Sequence, residues 1–259
     1  MELLITIIVC LIAGLGAGLG TGFAGLSAAA VITPMLVTFL DMPAYSAVGI
    51  ALASDVLASA VSAYTYHKNK NIDIKNGIVM MLSVLVFTMV GSWVASFLPN
   101  EAMGGASVFM TMMLGVKFII KPVNTTKEAM AAVSPKKRFI QSILCGTMIG
   151  FICGFVGAGG GMMMLMMLTV VLGYELKTAV GTSVFIMTFT ALTGSISHFI
   201  IDQEMPDLLV LFLCIIFTLI FARLGARFAN KASTKTLNRA TGIILVLLGI
   251  IVLGVGSLT

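Results

Sequence analysis

The residues of this chain best suited to chemistry are glycines and uncharged hydroxyls, grouped in two related stretches. The fuller stretch reads Gly157-Ala158-Gly159-Gly160-Gly161 and is followed by Ala179-Val180-Gly181-Thr182-Ser183. The weaker one reads Gly22-Phe23-Ala24-Gly25-Leu26-Ser27 and is followed by Ala47-Val48-Gly49. Glycine adopts dihedrals that other residues avoid and lets a ligand approach the backbone. A helix restarting at Gly160 or Gly161 would turn free N–H groups and the positive end of its dipole toward an anion. Thr182 and Ser183 add donors without fixed charge, although such hydroxyls are equally suited to bonding back onto their own helix. The candidate substrate-binding residues are therefore Gly157, Ala158, Gly159, Gly160, Gly161, Thr182 and Ser183, with Gly25, Leu26 and Ser27 from the weaker stretch.

One carboxylate stands apart. Asp55 falls inside an apolar run, where an ionised group is costly and usually functional. It is the candidate for proton coupling, against a plain interhelical hydrogen bond or a place near the interface. No HExxH, Ser/His/Asp set or Cys/His cluster supports an enzyme, so no catalytic residue, cofactor or metal site is assigned. The chain has 19 methionines, with Met162, Met163, Met164, Met166 and Met167 beside the glycines. Thioethers bind soft metals, but no ligand-like His/Cys companions accompany them, and packing suits them better. Cys10, Cys145, Cys153 and Cys214 form no C-x-x-C pair and read as small apolar residues.

The elements that must carry these residues are membrane helices. Of 259 residues, 59% are hydrophobic and only 10% charged, against about 25% charged in a soluble domain. Apolar runs fall near 3–22, 25–40, 44–66, 77–98, 103–120, 139–156, 160–173, 178–200, 207–228 and 239–257. An all-α polytopic bundle of about 8–10 segments follows, and the strict alternation of a barrel is absent. The runs 25–40 and 160–173 follow the glycine stretches and are short for a span, so re-entrant or broken helices are expected there. Because Met1-Glu2 leads into apolar sequence with no positive region, the first run is expected to be retained as a helix rather than cleaved.

Charge in the connecting loops orients the bundle. Lys68, Lys70 and Lys75 mark one loop, Lys121, Lys127, Lys136, Lys137 and Arg138 a second, and Lys231 and Lys235 a third. Glu101 and the group Asp202, Glu204 and Asp207 mark loops without basic residues. The positive-inside rule puts the first set in the cytoplasm and both termini outside, in the cytoplasmic (inner) membrane of the cell. The bilayer and a small anion are the expected partners, a second copy of the chain is left open, and nucleic acid is not expected.

Shifting the chain by 132 positions superposes Gly14, Gly18, Gly22, Phe23 and Gly25 on Gly146, Gly150, Gly154, Phe155 and Gly157, and Ala47-Val48-Gly49 on Ala179-Val180-Gly181. The chain thus divides into a first repeat, 1–120, a basic cytoplasmic linker, 121–138, and a second repeat, 139–259. The loop ending the first matched region is basic and its counterpart acidic, which implies repeats of inverted topology. The spacing of Gly14, Gly18 and Gly22, and of Gly146, Gly150 and Gly154, suits close helix packing.

With the Gly157–Gly161 cluster, the Ala179-Val180-Gly181-Thr182-Ser183 patch and their weaker first copies, the chain resembles the TauE/SafE sulfite exporter family, also called the 4-toluene sulfonate uptake permease family. The resemblance spans nearly the whole chain. It implies a secondary transporter moving sulfite, an organosulfonate or a related sulfur-containing anion by alternating access. Leu26-Ser27-Ala28-Ala29 stands where the second copy has glycines, so the two halves are not expected to contribute equally. A channel-like anion pore and a Met-lined metal-ion permease are the alternative readings.

Overall fold

The computed structural model describes residues 2–95, 113, 116–156, 160–202 and 206–256. Among these residues every regular element is a helix, with no strand. The first helix, α1 (Glu2–Ala24), is an unbroken apolar run that stops at Gly25, whose φ of +62° an L side chain rarely adopts. The helix is closed there by Gly25 N–H to the Thr21 carbonyl and Leu26 N–H to the Gly20 carbonyl. The chain then restarts as α2 (Ala29–Leu40), which at about 18 Å cannot cross a hydrocarbon core of about 30 Å. Helix α2 ends on Asp41 at φ +50°, and Pro43 precedes α3 (Ala44–Lys68).

After a turn at Asn69–Asp73 comes α4 (Ile74–Ala95). The expected run 103–120 lies largely outside the described residues, with 116–120 helical. The stretch read as a linker contains a short helix, α5 (Lys127–Ala131), capped by the Thr126 hydroxyl, and then the first residues of α6 (Pro135–Val156). Helix α7 (Gly160–Met166) runs directly into a π-helical turn at Met167–Val171. It is followed by α8 (Leu176–Asp202), α9 (Leu208–Lys231, capped by the Asp207 carboxylate) and α10 (Thr234–Gly256).

The two short helices end alike. Met42 N–H bonds to the Leu36 carbonyl, and Tyr174 N–H, 132 positions on, bonds to the Leu168 carbonyl. The positive φ falls on Asp41 in one and on Gly173 in the other, again 132 positions apart.

Packing follows the glycine stripes. Helix α1 lies along α9, and α6 lies along α4. A Cβ on Gly14, Gly18 or Gly22 would come within 2.5–2.6 Å of Phe217, Thr218 or Ala222, and one on Gly146 or Gly150 within 2.5–2.7 Å of Met80 or Val84. The glycines therefore serve close helix contact, as their spacing suggests. Helices α3 and α8 cross at the centre, with Tyr66 and Tyr174 among the largest fully buried side chains. Large apolar residues such as Leu4, Met89, Trp93, Leu208 and Phe212 instead point outward and are exposed. A soluble protein does not display such a surface. Five of the described helices are long and apolar enough to cross a membrane, so the protein is a multi-pass membrane protein. Cys10, Cys145 and Cys214 are buried, Cys153 is partly buried, and all four are free thiols.

Candidate functional site

The turn that ends α1 and the start of α7, far apart in sequence, meet. A Cβ built on Gly161 would lie 2.7 Å from the Gly25 carbonyl and 2.8 Å from the Ser27 amide nitrogen. The start of α7 thus presses on the loop that leads into α2, and only glycine permits that approach. Gly160, one residue earlier, has more room, with only Cys153 Sγ at 3.3 Å from a Cβ. Gly157, Ala158 and Gly159 lie outside the described residues.

Helix α3 supplies the charge at this junction. Asp55, near the middle of α3 and buried, accepts a hydrogen bond from Ser27 Oγ at 2.6 Å and one from Ser59 Oγ at 2.9 Å. The first partner belongs to the break, and the second lies one turn further along the same helix. A carboxylate away from water needs such donors to remain ionised. Ser27 Oγ also accepts a long bond from the Ala29 N–H at 3.4 Å, which ties the carboxylate to the first turn of α2.

Helix α8 supplies the opposite wall. Ser183 Oγ donates to the Gly25 carbonyl at 3.2 Å and lies 3.6 Å from Met187 Sδ. Gly25, Ser27, Gly161, Ser183 and Asp55 are therefore brought together. Leu26 takes part through its backbone, its carbonyl accepting from Thr21 Oγ1 at 2.8 Å, while its side chain is buried. Thr182 turns away from this group, and its Oγ1 accepts from the Asp73 N–H at 3.1 Å. Ser59 and Met187 were not among the candidates. Ser59 carried a readable signal, being four residues from Asp55 and so on the same helix face. Met187 occupies the position 132 residues beyond Asp55, which marks it as the counterpart of the carboxylate.

The basic loops gather at one end of the bundle. Asp73 Oδ2 accepts from the Tyr174 hydroxyl at 2.8 Å and from Asn76 Nδ2 at 2.7 Å, with Arg138 at 3.9 Å. The Arg138 guanidinium lies over the Tyr174 ring, 4.9 Å from its centroid, and also donates to the Met130 carbonyl. Burial, with the Asp73 carboxylate beside it, pushes the Tyr174 phenol up, so that it stays a donor. No group of three or more His, Cys, Asp or Glu side chains suited to a metal occurs among the described residues.

A multi-pass helical bundle in which the short helix α7 starts against the turn leading into α2, beside a buried carboxylate, has the architecture of a membrane transporter. Residues 10–252 match the family described as sulfite exporter TauE/SafE, and the chain belongs to that family. It is similar to two proteins of Bacillus subtilis described as probable membrane transporters. YunE is 25% identical, over 96% of each chain, and YdhB is 23% identical, over 85% of this chain and 89% of its own. A probable membrane transporter protein of Methanocaldococcus jannaschii is 27% identical, over 80% of this chain and 78% of its own. No solved structure matches the chain.

Proposed function

We propose that the protein is a secondary transporter that carries a small sulfur-containing anion, such as sulfite or an organosulfonate, across the cytoplasmic membrane by alternating access. The junction of Gly161 with Gly25 and Ser27 is the observation that carries this reading. Interrupted helices meeting beside polar side chains are where secondary transporters hold their substrates. The anion would sit against the breaks, taking the hydroxyls of Ser27 and Ser183 and the free N–H groups of the restarting helices.

That placement puts the anion beside Asp55. Two negative charges about 4 Å apart repel by roughly 4 kcal/mol at an effective dielectric of about 20. Protonating Asp55 removes that repulsion and frees Ser27 to turn its hydroxyl to the substrate. Proton and anion would therefore travel together, which makes the mechanism a symport.

The two halves are read as inverted repeats, with the basic end of the bundle cytoplasmic and both termini outside. Two observations support the repeat: the matching ends of α2 and of the π-helical turn, and the helix pairing. Under the 132-residue shift, the pair α1 and α9 becomes α6 and α4, and both pairs are close. The charge difference between the matched loops supports the inversion.

The test is uptake into proteoliposomes from a panel of sulfur oxyanions, with and without a pH gradient. Saturable flux of at least one of them, driven by the gradient, is expected. Flux that never saturates would leave a pore as the better description, and no flux of any sulfur oxyanion would sink the substrate class.

A further inference from the structure

The packing divides the bundle differently from the sequence repeat. Helix α9 packs on α1 and α3, and α10 packs on α1 and α2. Helix α4 packs on α6, α7 packs on α6 and α8, and α8 also touches α4. Each group takes helices from both halves of the chain, and the groups meet mainly where α3 crosses α8.

At the basic end this meeting is completed by bonds of one kind. Lys177, at the start of α8, donates from Nζ to the Asn230 carbonyl in the last turn of α9, at 2.9 Å. Asn230 Oδ1 accepts from Asn71 Nδ2 in the α3–α4 turn at 2.7 Å. Asn71 Oδ1 in turn accepts from Lys127 Nζ of α5 at 2.5 Å, and Lys127 also reaches the Lys70 carbonyl at 3.2 Å. The Asn71 carbonyl lies against Gly181 so closely that no Cβ would fit, and Thr182 holds the Asp73 N–H beside it. Between these contacts and Ser183, the residues Leu176, Ala179 and Val180 of α8 and Tyr66 of α3 are all buried.

We propose that Lys177, Asn230 and Asn71, braced by Lys127, form a latch at the basic end, which opens in each transport cycle by parting the end of α9 from α8 and from the α3–α4 turn. The inference rests on the transport reading above and adds the moving parts to it. Its chemistry suits a contact that must break. The two ammonium groups are held here by neutral amide oxygens, which water replaces readily when the contact parts. The glycine-lined seams of α1 with α9 and of α4 with α6 bring backbones within van der Waals contact and stay closed. Opening would also leave the Lys177 charge beside the route by which an anion enters.

Two measurements test the latch. In the K177C/N230C protein, a short bifunctional thiol reagent should bridge the two positions. Bridging should lower sulfite or sulfonate flux at least tenfold, with recovery on reduction and with wild type unaffected by the reagent. Fully bridged protein that transports at the unbridged rate would overturn the proposal. Nitroxide labels at Glu175 and Lys231, beside the latch but not members of it, read it without any substrate. Two separations should be populated, with the longer one enriched by N71A. A single separation in both proteins would also overturn the latch. Two separations in a protein that moves no sulfur oxyanion would leave the latch standing and remove only the substrate reading.

Discussion

The two helix breaks occupy equivalent places in the chain but carry different chemistry. The first, Gly25 to Ala28, is bound to a carboxylate through Ser27, and Asp55 holds a second serine one turn away. At the second, α7 starts at Gly160, and the residue 132 positions beyond Asp55 is Met187, whose sulfur lies beside the Ser183 hydroxyl. The two stretches are similar in sequence, and of the paired positions 55 and 187 only Asp55 is ionisable. A site that binds an anion gains nothing from two buried carboxylates, since each adds repulsion. One suffices if its charge can be cancelled by a proton. On the proposed function, the second stretch would be the uncharged half, contributing the close approach at Gly161 and the Ser183 hydroxyl.

The largest expected effect comes from filling the point where the breaks touch. Gly161→Leu places a side chain against the Gly25 carbonyl and the Ser27 amide and should abolish saturable uptake. Gly160→Leu, where the space is wider, should keep a measurable fraction of it. Overpacking of this kind costs about 1–3 kcal/mol, so monodispersity in detergent would separate a blocked site from a misfolded protein. Equal losses from both substitutions would break the distinction between the two positions.

Next in size is the carboxylate. Asp55→Asn should retain uptake down an anion gradient while losing acceleration by a pH gradient. Met187→Leu should leave both intact. If Asp55→Asn still accumulates anion against its gradient when a pH gradient is applied, the two breaks do not differ in coupling. Removing the serine at each break sharpens the contrast further. Ser27→Ala strips Asp55 of a charge-assisted bond worth about 2 kcal/mol, whereas Ser183→Ala loses a neutral bond worth about 1 kcal/mol. Thermal unfolding in detergent should rank the two variants in that order. Smallest of all is the effect of Thr182→Val on substrate affinity, because Thr182 bonds the Asp73 N–H rather than the breaks. A KM raised as far as in Ser183→Ala would contradict that.

Much of this arrangement is legible without coordinates, because a bilayer leaves the chain few choices. Among the described residues the apolar runs mark the long helices to within a few residues, and Gly25 marks the end of α1. The spacing of Gly14, Gly18 and Gly22 announces a close helix contact but not its partner. Periodicity shows that a face is packed and is silent on which of the other helices lies against it. Asp55 stands out because a charge in an apolar run is conspicuous, whereas Ser59 is an ordinary residue until its carboxylate neighbour is considered. Thr182 and Ser183 are adjacent and chemically alike, yet they point to different parts of the molecule. Neighbours on a helix are rotated by about 100°, and the helix's own rotation is set by packing, which no local pattern encodes. The contact of Gly161 with Gly25 is tertiary in the same sense.

The pairing of α1 with α9 has a consequence for how the protein is made. The ribosome delivers α1, with Gly14, Gly18 and Gly22 along one side, well before their partners at Phe217 to Ala226, which emerge only after all the helices between. Until those partners arrive, α1 therefore waits with its seam open. A chain stopped after the first repeat would lack not only the second half of the junction but also the surface that α1 is shaped to meet. Either half of the chain made alone would therefore leave a glycine-lined helix face without the surface it packs on.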